Sequence, residues 1–349
     1  AIRADGPTLA RELSDRADEA IGSLFGSSTL KGSSSWCVVA VGGYGRRELC
    51  PFSDVDLLFL LERKRPGHEV ERALKEVLYP LWDLGFNASH SVRTVRQALE
   101  DAGKDFFFRN SLIDARPVCG SRAVFDAFAR AASKSRRLND GRAYVAELAL
   151  HTARRHARYG DAVYFLEPHL KEGHGGLRDC QSIFWALKVL GGDPGLSPPI
   201  HGRDLDEVRE AGAFLLKTRF VLHRITGRKT DRLFLEHQEP LASALGYSGG
   251  ADCSPVEAFL KDYHTRALTI RTVIDSLLPF LHRPRGLRSL LASKSRESAF
   301  TLSGGLLDFA DPSRAGKDAV LIMQAFALLG DRGLKLSPVA RSLVRDFVR

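Results

Sequence analysis

Cysteine is scarce in this sequence: Cys37, Cys50, Cys119, Cys180 and Cys253 are the five among 349 residues, widely spaced and with no CxxC pair. So odd and scattered a set excludes a disulfide framework and a cysteine zinc site, and reads as buried thiols of a reducing cytoplasm. Long apolar runs are lacking too. None reaches the roughly 18 residues of a membrane helix, and no signal-peptide pattern opens the chain, so a cytoplasmic protein without a membrane partner is expected. The dipeptide His-Asp occurs nowhere. His151 and His156, five apart, miss the HExxH zinc spacing and read as solvated positions on a helix. Acidic residues are in deficit: 51 Lys+Arg stand against 42 Asp+Glu, a formal charge of +9. Such an excess invites a nucleic-acid reading. However, twelve Lys/Arg against six Asp/Glu fall in residues 281–349, so most of it is accounted for by a solvated C-terminal region. Nucleic acid is not the expected partner.

The composition is that of an ordinary globular protein, and the length allows two or three domains. Residues 8–25 read as an amphipathic helix, followed by a loop, GSSTLKGSSS (Gly26–Ser35). WCVVAV (Trp36–Val41) is a short β-branched run ended by Gly42-Gly43, hence a buried strand. DVDLLFLL (Asp54–Leu61) is a second strand. Val70, Leu74, Val77, Leu78 and Leu81 make a helical stripe closed by Gly85. FNASHSVRTV (Phe86–Val95) reads as a third strand. Beyond Gly120 the pattern is almost wholly helical, so the fold class is α/β followed by all-α.

The stretch Val39–Leu60 carries the chemistry. A strand ending in Gly-Gly turns tightly and brings bare backbone N–H groups to a surface, where they suit a phosphate chain. The spacing is neither GxGxxG nor GxxxxGK[ST], so the dinucleotide and P-loop readings fail. Side chains alternate along a strand, so Asp54 and Asp56 share one face about 6–7 Å apart while Val55 enters the core. Such a pair repels unless cations join it. Mg²⁺ accepts carboxylate oxygens together with substrate phosphates, and a pair of ions can activate an attacking oxygen and stabilise leaving pyrophosphate. Further on, EPHLKEGHGGLRDCQ sets Gly175-Gly176 at a helix entrance with Lys171 and Arg178 beside it. This second glycine turn could close over a triphosphate, with Asp179 as a favourable helix-dipole partner.

GGYGRRELCPFSDVDLL resembles the signature of nucleotidyltransferases with the polymerase-β-like fold. In detail it resembles the bifunctional uridylyltransferase/uridylyl-removing enzymes of the nitrogen-regulatory protein PII. The blocks HSVRT (His90–Thr94), SLIDARPVCG (Ser111–Gly120), LEPHLKEGHGGLRDCQ (Leu166–Gln181), RFVLHRITGRKTDRLFLEHQEPLASALGY (Arg219–Tyr247) and PVEAFLKDY (Pro255–Tyr263) agree with that family in order and spacing. The resemblance implies a nucleotidyltransferase domain over residues 1–120, a helical domain over 121–290 and a C-terminal helical segment over 291–349. It implies Mg²⁺-dependent transfer of UMP from UTP to a tyrosine of PII, with two ions for which Mn²⁺ can substitute. Asp54 and Asp56 are then the catalytic metal ligands. Gly42 and Gly43 cradle the triphosphate, Ser53 orients the nucleotide, and Arg46, Lys171 and Arg178 meet its phosphates.

The resemblance has two gaps. Superfamily members usually bring a third carboxylate from a neighbouring strand, yet residues 86–95 contain no Asp or Glu. Asp83, Asp114, Glu167 and Asp179 are the candidates to reach in from elsewhere. The family also continues into a phosphohydrolase domain with a His-Asp pair and then glutamine-sensing domains, so uridylyl removal and glutamine sensing are expected to be missing from these residues. The chain reads as an excised N-terminal portion of a longer enzyme, with a naturally short relative as the alternative. Adenylyl transfer from ATP, and a non-catalytic nucleotide-sensing regulator, stay open as alternatives.

Overall fold

The computed structural model describes residues 2–64, 67–135, 138–160, 166–191, 200, 202–250, 253–281, 295–297, 299–303, 305–315 and 317–348. Helix α1 (Gly6–Ser27) is followed by β1 (Trp36–Ala40), a one-turn helix α2 (Gly42–Gly45), β2 (Asp54–Leu61), α3 (Gly67–Asp83) and β3 (Asn87–Thr94). Helices α4 (Val95–Ala102) and α5 (Phe106–Leu112), strand β4 (Arg116–Gly120) and helix α6 (Arg122–Lys134) complete the first unit. The strands form one sheet in the order β3-β2-β1-β4. β1 is antiparallel to β2 and β4, whereas β2 and β3 run parallel.

Both faces of this sheet are covered, which is why its central strands are continuously apolar. Val38, Ala40, Leu57 and Phe59 pack on the side of α1 and α3, with Ile21, Phe25, Val77 and Leu81. The alternate residues Cys37, Val39, Leu58 and Leu60 pack against Ala98 of α4 and Val124 and Phe128 of α6. Asp54 and Asp56 continue the Leu58–Leu60 row one and two steps beyond that apolar cover. The 180° alternation thus delivers both carboxylates to one open end of one face.

The second unit is helical: α7 (Gly141–Tyr159), α8 (Leu177–Leu190), α9 (Gly202–Thr226), α10 (Leu235–Leu245) and α11 (Pro255–Leu281). Its core holds Tyr144, Leu170, Ile183, Leu215, Val221, Phe259 and Tyr263. Two glycines permit close helix contacts there. A Cβ on Gly175 would lie 2.4 Å from the Ala267 carbonyl oxygen, and one on Gly212 would lie 2.6 Å from Cys180 Sγ. α1 belongs to both units. Ala10 joins the helical core, while Ala17, Ile21 and Phe25 join the sheet core.

The C-terminal stretch departs from its wholly helical reading. Strands β5 (Ser295–Glu297), β6 (Phe300–Ser303), β7 (Leu306–Phe309) and β8 (Lys335–Leu336) form a second sheet in the order β5-β6-β7-β8. Helices α12 (Pro312–Ala315), α13 (Ala319–Arg332) and α14 (Pro338–Val348) accompany it. Phe300, Leu307, Phe309, Ile322 and Val344 make its own small core. The physical reason is period-2 patterning: Phe300 and Leu302 alternate with polar residues, and Ser303 pairs with Leu306 across Gly304-Gly305, a hairpin signature. β4 likewise went unread in the sequence. It is an edge strand, contains Pro117, and shifts register against Val38 and Val39.

Candidate active site

A cleft of about 510 Å³ opens between the first sheet and the helical unit. All eight residues singled out in the sequence line it: Gly42, Gly43, Arg46, Ser53, Asp54 and Asp56 from one wall, and Lys171 and Arg178 from the other. Gly42 has φ +59° and stands against Asp56, where a Cβ would come within 3.2 Å of Oδ2. The backbone therefore approaches the carboxylate as only glycine allows.

The two aspartates are met by hydrogen-bond donors from β3 and by a lysine. The parallel register sets Asp54 opposite Asn87 and Asp56 opposite Ser89. Asn87 Nδ2 donates to Asp54 Oδ1 at 2.5 Å, and Ser89 Oγ donates to Asp56 Oδ1 at 2.6 Å. Lys229 pairs with Asp54 Oδ2. None of the four proposed third carboxylates lines the cleft. Asp114 is held by Trp185 Nε1 at 2.8 Å and Lys188 Nζ at 2.9 Å; Glu167 meets Arg232 at 3.4 Å; Asp83 is exposed at the end of α3.

Asp179 is fully buried. It accepts from Arg155 Nη2 at 2.5 Å, from the Gly175 N–H at 2.7 Å and from His156 Nε2 at 2.9 Å. Burial pushes its carboxyl up, but these hydrogen bonds and the Arg155 charge outweigh that and hold it below the usual range. His156 is thus a partly buried network member, not a solvated helix residue, and its ring stacks on His174 at 3.8 Å. Together with Asp179 the two histidines place ligand-type atoms within 4.8 Å. The guanidinium on the same carboxylate opposes a divalent ion there. His151 is not solvated either, since it stacks on Phe106 at 4.5 Å. Gly175 and Gly176 are buried and do not line the cleft, so the second glycine turn serves packing against α11 and the Asp179 network.

The cations are differently committed. Arg46 donates to Glu48 at 2.8 Å, lies 3.6 Å from Asp114 and stacks over Trp185. Arg178 lies 3.3 Å from Glu172 and stacks over the same Trp185 ring, 5.6 Å from its centroid. Lys171 is half-buried and makes no ion pair among the described residues. Desolvation pushes its ammonium below the ordinary lysine value, aided by Arg178 and Arg219. A half-buried ammonium at the cleft wall retains unmet hydrogen-bonding and electrostatic demand.

The turn that carries the aspartates is pinned from the helical unit. His223 Nδ1 contacts the Pro51 carbonyl oxygen at 2.5 Å, and its Nε2 lies 3.1 Å from Asp231 Oδ1. Arg219 Nε donates to the same Asp231 oxygen at 2.5 Å. Gln181 Nε2 donates to Glu48 at 2.7 Å, a second tie. Lys229, Asn87, Ser89, Asp231 and His223 were not found in the sequence. Only the strand register and the fold bring them to the site, although Arg219–Tyr247 is a block on which the resemblance rests.

A Gly-Gly turn after a buried strand, paired aspartates on the antiparallel neighbour, and a helical unit closing the cleft define a polymerase-β-like nucleotidyltransferase domain followed by a helical domain. Residues 143–278, which span α7 to α11, match the family model described as GlnD PII-uridylyltransferase, and this stretch is a domain of that family. The chain is 32% identical over 362 residues to a bifunctional uridylyltransferase/uridylyl-removing enzyme of Phenylobacterium zucineum, covering 97% of this chain and 38% of the relative. Relatives of the same name from Methylococcus capsulatus and Azospirillum brasilense are each 35% identical, over 77% and 71% of this chain and 31% and 27% of their own lengths. The chain thus spans less than two-fifths of the length of these relatives. Among the described residues, no helix is long and apolar enough to cross a membrane.

Proposed function

We propose that this chain transfers UMP from UTP to a tyrosine of a PII signal protein in the cytoplasm, releasing pyrophosphate. The observation that carries the reading is the opposition, across one cleft, of an aspartate pair and an unpaired half-buried lysine. The donor set fits Mg²⁺, since Asp54, Asp56 and Ser53 offer hard oxygens beside an accessible cleft. Asp54 and Asp56 would hold the ions, two of Mg²⁺ or of Mn²⁺ in their place, and the bound ions supply neutralisation of the charge that develops on the phosphates. Lys171 and Arg178 meet the triphosphate from the helical wall, while Gly42 and Gly43 let it approach the first strand. Lys229 holds Asp54 in the absence of that charge. In-line attack forms a bond from the tyrosine oxygen to the α-phosphorus and breaks the bond to the bridging oxygen of pyrophosphate.

The test is mass spectrometry of PII incubated with the chain, Mg²⁺ and one nucleotide triphosphate at a time. A gain of one UMP with UTP is expected. A gain of AMP alone, or nucleotide binding without pyrophosphate release, overturns the reading.

A further inference from the structure

One corner of the cleft is neither cationic nor used by the phosphate chemistry. It is built by α5 and the middle of α7. Phe107 lines it while 68% exposed, a large apolar surface left open beside a binding cleft. His151 lies edge-on to Phe107 at 4.7 Å and is held in place by its stack on buried Phe106. Asn110 lines the same corner. Its Oδ1 accepts from the Tyr144 hydroxyl at 2.5 Å. Tyr144 is fully buried, and desolvation pushes its hydroxyl above the usual range, so it keeps its proton and remains a donor. That bond fixes the amide orientation: Oδ1 faces Tyr144, and the Nδ2 hydrogens have no partner among the described residues. Ser111, the neighbouring hydroxyl, already donates to Phe108 O at 2.8 Å, so Asn110 is the free donor of this helix face.

The corner also stands at one end of a row of cleft-lining side chains on α7. His151, Arg155 and Arg158 follow one face of α7 at spacings of four and three, all lining the cleft. Seven residues of helix separate His151 from Arg158, about 10 Å along the axis. Arg158 stands at the far end of that row and the aromatic corner at the near end, while Arg155 between them is committed to Asp179. A ligand with a charged chain at one end and a flat ring at the other matches this row.

We propose that Phe107, His151 and Asn110 form the base subsite of the nucleotide donor, and that Asn110 selects a base carrying a carbonyl where cytosine carries an amino group. The inference rests on the UTP reading and deepens it. The ring of uracil stacks on Phe107 or His151, a sequence-tolerant contact. Asn110 Nδ2 donates to its O4, and the amino group of cytosine at that position would set donor against donor.

Equilibrium binding of UTP and of CTP to the full chain, with calorimetry as the readout, tests this separately from transfer. In the wild type UTP is expected to bind about tenfold more tightly than CTP. Asn110→Asp replaces the donor by an acceptor and should lower that ratio by about 100-fold, reversing the preference. Phe107→Ala, at an exposed position, should weaken both nucleotides by about tenfold and leave their ratio unchanged. A ratio unaltered by Asn110→Asp, or full affinity in Phe107→Ala, overturns the base subsite. A shifted ratio in a chain that puts no UMP on PII supports the subsite and counts against the PII reading alone.

Discussion

At the scale of single residues, the proposed chemistry rests on the pair Asp54 and Asp56. In the structure each carboxylate is met by a neutral donor from β3, and Asp54 also by Lys229. That ion pair is about two-fifths exposed, so it contributes about 0–1 kcal/mol to stability. Replacing both residues by Asn keeps a polar group opposite Asn87 and Ser89 and removes the repulsion between neighbouring carboxylates. The double variant should therefore melt within about 2 °C of the wild type when no divalent ion is present. Its transfer activity should fall below detection, because the loss of one such charge-stabilising contact costs about 3–4 kcal/mol of barrier. Thermal melts without Mg²⁺ and pyrophosphate release with it make the comparison. A variant that is less stable yet active in proportion to its folded fraction would make the aspartates turn-formers and nothing more. The pair was legible in the sequence because strand alternation alone puts i and i+2 on one face. The residues opposite it were not, because Asn87 and Ser89 lie 33 positions away and only the parallel register joins them.

At the scale of elements, the helical unit holds the turn that leads into the aspartates through one side-chain chain: Arg219, Asp231, His223 and the Pro51 carbonyl. Burial raises the Asp231 carboxyl, but the His223 hydrogen bond and the Arg219 charge lower it far more, so it stays well below the ordinary 3.8. The unfolded chain takes up a proton on this residue near 3.8 whereas the folded chain does not. The stabilisation is then complete above that pH and is lost as pH falls through and below it. Asp231→Asn should cost about 3 kcal/mol at neutral pH, since Arg219 would be left buried without its partner. It should also flatten the acid limb of the stability curve. Denaturant unfolding between pH 7 and pH 3 checks both, and an acid limb as steep in the variant as in the wild type would remove Asp231 from this role. Elements themselves were readable where periodicity was long or the run wholly apolar: β2 begins and ends where its sequence pattern does, and β3 loses one residue at each end. The strands of the C-terminal sheet are only two to four residues long, too short to compete with the helical stripes around them.

At the scale of the whole molecule, the cleft depends on two units that the chain crosses more than once. Glu48, Asp114 and Pro51 receive bonds from α8 or α9, so the helical wall is bolted to the sheet at three places around the aspartates. α14 is tied back in turn by Arg345, which donates to Asp204 at 2.6 Å. α1 adds a constraint of another kind. Its first turn is pressed on α9 so closely that a Cβ at Gly6 would lie 2.3 Å from the Ala213 oxygen, while Phe25 is seated under the sheet. A helix of 22 residues is about 33 Å long and does not bend without a cause. It acts as a splint across both jaws, and a jaw that swung open would have to strip one half of the splint from its bed. Such a splint predicts a vise with a fixed gap, and small-angle scattering should return the same radius of gyration with and without saturating UTP and Mg²⁺. A contraction of more than about 1 Å on binding would mean that the splint lets go.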